Sequence, residues 1–64
     1  MNAQQAIEYG KSIGVKYHVL TEYGVLLGGY TTAEQAERKR LEWARRFENS
    51  LYSKGVGIHI VKVE

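Results

Sequence analysis

A chain of 64 residues with neither cysteine nor proline has to hold itself together with a small core, because no disulfide framework is available and two histidines without a cysteine cluster make no structural zinc site. The longest uncharged run, residues 23–33, falls far short of the roughly 20 residues that span a bilayer, and the start lacks a basic segment followed by an apolar one; a single soluble, cytoplasmic domain over 1–64 is expected. A net charge of +2 permits weak attraction to nucleic acid or to acidic proteins, and is no strongly basic DNA-binding tail.

Residues 1–14 carry Ala3, Ala6, Ile7 and Ile13, with Gly10 and Gly14 as breakers. They form either an arm or a short, weak helix starting at Asn2. Residues 15–64 read as a strand, strand, helix, strand core. Val15–Glu22 and Val25–Tyr30 are β-rich runs separated by Tyr23-Gly24, which predicts a hairpin. Thr31 with Glu34, or Thr32 with Gln35, then supplies a capping box. From Ala33 to about Ser53 there is no glycine, and Ala33, Ala36, Trp43, Ala44, Phe47 and Leu51 form one stripe at helical spacing. Gly55 is the expected stop. The last run, Val56–Glu64, follows the helical crossover, so the simplest right-handed arrangement places it beside the first strand. The expected fold is α+β: a three-stranded antiparallel sheet of order 2-1-3 with one long helix on one face.

All three strands are apolar on both sides. Val15, Tyr17 and Val19 oppose His18 and Leu20; Val25 and Leu27 oppose Leu26 and Tyr30; Ile58 and Ile60 oppose His59, Val61 and Val63. One long helix shelters one face. The other face, with His18, Leu20, Leu26, Tyr30, His59, Val61 and Val63, is the expected contact surface for another protein or a second copy of the chain. Edge pairing through Val25–Tyr30 or Val56–Val63 would add backbone hydrogen bonds. If the N-terminal segment instead folds back, with Ala6, Ile7, Tyr9 and Ile13 over this face, no such patch is left.

Chemistry is thinly supplied. There is no aspartate, and His18 and His59 are the only candidate bases, so no enzyme, cofactor or metal site is expected. Gly28-Gly29 lacks the rest of a nucleotide-binding fingerprint and reads as close backbone approach or a bulge. Arg38, Lys39, Arg45 and Arg46 occupy the outer half of the helix. They form either a solvated face, self-paired through Glu34–Arg38 and Glu42–Arg46, or a contact for an acidic surface. Arg40 falls inside the apolar stripe, with its stem along the sheet towards Glu22 or Glu64 or serving as an interface anchor. Trp43 is a core-edge residue or a half-exposed hot spot.

Gly28-Gly29-Tyr30-Thr31-Thr32-Ala33-Glu34-Gln35-Ala36-Glu37 resembles the strand-turn-helix passage of the arm-site DNA-binding domains of tyrosine integrases. That resemblance implies a sheet entering the major groove. The strands of those domains are rich in Arg and Lys, whereas the outward residues here include Leu20, Leu26, Val61 and Val63. The short cysteine-free format is also similar to small phage-encoded inhibitors that bind host enzymes. The leading expectation is a non-enzymatic protein-binding module, an inhibitor, adaptor or homodimer; DNA binding is the alternative.

Overall fold

The computed structural model describes residues 1–52 and 54–63. The elements in order are α1 (Ala3–Ile13), β1 (Tyr17–Thr21), β2 (Leu26–Tyr30), α2 (Ala33–Glu48) and β3 (Ile58–Lys62). The sheet is antiparallel with order β2-β1-β3, as strand patterning and the crossover rule require. The expected strand end at Glu64 and helix end at Ser53 lie outside the described residues.

The N-terminal segment is a helix. Asn2 and Gln5 cap it reciprocally, with Gln5 N donating to Asn2 Oδ1 (2.8 Å) and Asn2 N to Gln5 Oε1 (3.0 Å). Gly14, at φ 81°, closes it in the left-handed conformation, and its N–H donates to Gly10 O. Gly10 is no breaker: it lies inside the helix.

The hairpin is wider than two residues. Gly24, at φ 82°, donates to Thr21 O (3.0 Å), and the buried Thr21 hydroxyl accepts from Val25 N (3.0 Å). This satisfies a polar side chain at the end of an otherwise apolar strand.

Thr32, rather than Thr31, caps α2, its hydroxyl accepting from Gln35 N (3.2 Å). The helix stops at Glu48, ahead of the expected Ser53, with the Asn49 and Ser50 amides folding back on Arg45 O and Phe47 O. Asn and Ser compete with the helix for backbone bonds. The next two residues gain no burial: Leu51 and Tyr52 are 95% and 97% exposed. Gly55 adopts φ 87° in the following turn.

Against the sheet, α2 buries Ala36 and half-buries Trp43, Ala44 and Phe47 over Val19. On the opposite face α1 packs on β1 and β3, where Ala6, Leu20 and Val61 form a cluster flanked by Ile7 and Leu26. The expectation of a single covered face is therefore corrected: the sheet lies between two helices. Among the described residues no helix is long and apolar enough to cross a membrane.

Candidate binding surface

The face expected to meet a partner is under α1. His18 (0% exposed), Leu20 (1%), Val61 (8%) and Val63 (4%) are buried, and Leu26 is half-buried at the edge of their cluster. The reason lies in small residues. Ala6 and Gly10 face the sheet one turn apart, and without side-chain bulk they bring the helix backbone down onto it. A Cβ at Gly10 would stand 2.5 Å from Val63 Cγ2 and 2.9 Å from His18 Nε2. His59 alone of this group is exposed, and lines a cleft of about 360 Å³ with Met1, Leu20 and Tyr23.

Tyr30 leaves the group for a different reason. Val19 pairs with Gly28 while Leu20 pairs with Leu26, so Leu27 is an extra residue in β2. Such a bulge reverses the facing of everything beyond it. Tyr30, opposite Tyr17, therefore points to the α2 side, where its hydroxyl lies over Gly28, leaving no room for a Cβ there.

His18 is enclosed, and among the described residues neither ring nitrogen has a hydrogen-bond partner. Tyr9 of α1 stacks on it (centroids 5.8 Å apart, planes at 13°), while Gly10 and Gly29 close the space around its ring. Its side chain has no solvent-exposed surface. Leaving a buried polar group unpaired costs about 1–3 kcal/mol. His18→Leu, of similar bulk, is accordingly expected to raise stability by up to about 1 kcal/mol in urea unfolding; a loss of that size would contradict the unpaired assignment.

The bulge builds a second surface. Leu27 and Tyr30 of β2 and Lys39, Glu42, Trp43 and Arg46 of α2 line a cleft of about 180 Å³ beside the open edge of β2. Leu27, Tyr30 and Trp43 supply its apolar and aromatic part, and Lys39, Glu42 and Arg46 its charged part. Of the two ion pairs expected along α2, Arg38–Glu34 forms (3.4 Å) and Glu42–Arg46 does not, because Glu42 takes Lys39 instead (3.2 Å). Arg46 lies over the Trp43 ring at 5.2 Å, a cation–π geometry, and Trp43 meets Phe47 edge-on at 5.9 Å. Among the described residues neither Arg45 nor Arg46 has a carboxylate partner.

Arg40 does not reach Glu22; it hydrogen-bonds Glu37 on its own helix through both Nε (3.2 Å) and Nη2. This hydrogen bond holds the Glu37 carboxyl below its ordinary pKa and raises that of Arg40.

The sequence allows Trp43, Lys39 and Arg46 a contact role as one of two readings and gives Leu27 none; the glycine pair following Leu27 is the available signal. Compared with protein-family models, curated proteins and solved structures, the chain matches none, so its own residues are the guide to its chemistry.

Proposed function

We propose that this chain is a non-enzymatic protein-binding module that accepts an extended segment of another protein along the open edge of β2. One observation carries the reading: β2 is an edge strand, Leu26-Leu27-Gly28-Gly29-Tyr30, with no charge and no proline, and a side-chain cleft opens directly beside it. Sheet edges are templates for pairing and are commonly blocked by Lys or Pro. The other edge, β3, has such a residue in Lys62. In strand addition, backbone hydrogen bonds supply affinity and pockets for alternate side chains supply selectivity.

Of the two candidate bases His18 is enclosed and cannot reach a substrate, and among the described residues no side-chain hydrogen bond orients the exposed His59, which weighs against catalysis. Helices on both faces weigh against a sheet laid into a DNA groove, and the pairing of Arg38, Lys39 and Arg40 with Glu34, Glu42 and Glu37 weighs against a phosphate-binding helix.

Selection of random dodecapeptides displayed on phage against the purified protein tests this. Enriched peptides are expected to move the backbone amide signals of Leu26–Tyr30 and to compete with one another. Peptides mapping elsewhere, no enrichment at all, a dimer already joined through β2, or DNA retardation that collapses with added salt would overturn it.

A further inference from the structure

Resting on the reading of β2 as an acceptor edge, we infer that the accepted segment is acidic, with an aliphatic residue seated between Tyr30 and Trp43 and a carboxylate two positions away on Arg46. Alternate side chains of an added strand face the same side of the sheet, about 6.7 Å apart. Those facing α2 therefore meet the cleft and its rim in succession. The cleft, of about 180 Å³, presents Leu27, Tyr30 and Trp43 to one aliphatic side chain, with Lys39, Glu42 and Arg46 around them.

Beside it the charges are unequal. Glu42 is engaged by Lys39 at 3.2 Å, while among the described residues Arg46 has no carboxylate partner and lies on the π-face of Trp43. A guanidinium stacked on an aromatic ring still has in-plane donors, which suit a carboxylate in a two-bond arrangement. With Lys39 paired to Glu42, the cation left at the cleft is Arg46, which would repel a basic segment and favour an acidic one through both encounter rate and register.

The probes are three blocked heptapeptides, Thr-Glu-Thr-Leu-Thr-Glu-Thr and its Gln and Lys counterparts, titrated into the whole protein and followed by the Leu26–Tyr30 amide signals and by Trp43 fluorescence. The Glu peptide is expected to bind at least about tenfold more tightly than the Lys peptide, with Gln between them, and the gap should narrow at high salt. Arg46→Glu should invert the order, and Arg46→Gln should flatten it while β2 still responds. Equal binding of all three peptides at β2 would overturn the acidic preference and leave the acceptor edge standing. Silence of β2 towards every peptide would overturn both, as would displacement of the Glu peptide from Trp43 by a short oligothymidylate.

Discussion

Gly10→Val should lift α1 from the sheet. The hypothetical Cβ alone already meets Val63 Cγ2 at 2.5 Å and His18 Nε2 at 2.9 Å, and valine adds two methyl groups beyond it. Neither neighbour can withdraw: Val63 is buried, and His18 is closed in by Tyr9 and Gly29. In an exposed helix interior, replacing glycine with a better helix former gains about 0.5–1 kcal/mol. Here the sign reverses, because overpacking a tight contact costs about 1–3 kcal/mol and occasionally more. The loss is large against the few kcal/mol that stabilise so short a chain. Loss of α1 amide protection together with a steep fall in melting temperature is the expected result, and a variant melting within a degree or two of wild type would show that α1 does not seat on Gly10.

Leu20→Ala ranks beside it. Leu20 sits on the central strand at 1% exposure, facing Ala6 and Val61 with Leu26 alongside. Large-to-small changes at such positions cost about 2–5 kcal/mol. For a domain of this size that corresponds to a fall of about 10–20 °C or more in melting temperature. The same burial changes what Leu20→Lys or Val61→Lys would report. Had α1 been elsewhere, a lysine there would have dissociated a sheet-mediated dimer; in this fold it places an unpaired charge in the core and unfolds the protein. A folded Leu20→Ala protein with an unchanged urea midpoint would contradict the assignment of this face to the core.

How much of this was legible in the sequence can be judged element by element. The sheet order followed from the hairpin and the crossover, and α2 from its cap and stripe; both depend on patterns that repeat over many residues. The seating of α1 was a stated alternative that composition alone did not decide, because the helix docks through Ala6 and Gly10, whose contribution is the absence of bulk. Periodicity in large apolar residues does not register that kind of complementarity. The cleft was missed for a different reason: Gly28-Gly29 suggested an irregular strand, yet the face assignment of Tyr30 was made as if β2 were regular. A single added residue turned a supposed partner of Leu26 into a neighbour of Trp43. The short end of α2 reflects Asn49 and Ser50, together with a sheet that offers Leu51 and Tyr52 no surface to bury.

The extra residue in β2 also bears on how this chain can change in length. Without Leu27 the ladder would run evenly through Leu20–Leu26, Val19–Gly28, His18–Gly29 and Tyr17–Tyr30, so Tyr30 would keep its place opposite Tyr17. What would go is the Leu27 wall of the cleft. A one-residue deletion at this point is thus compatible with the docking of the first helix and selective for the cleft, which separates the binding surface from the core that supports it.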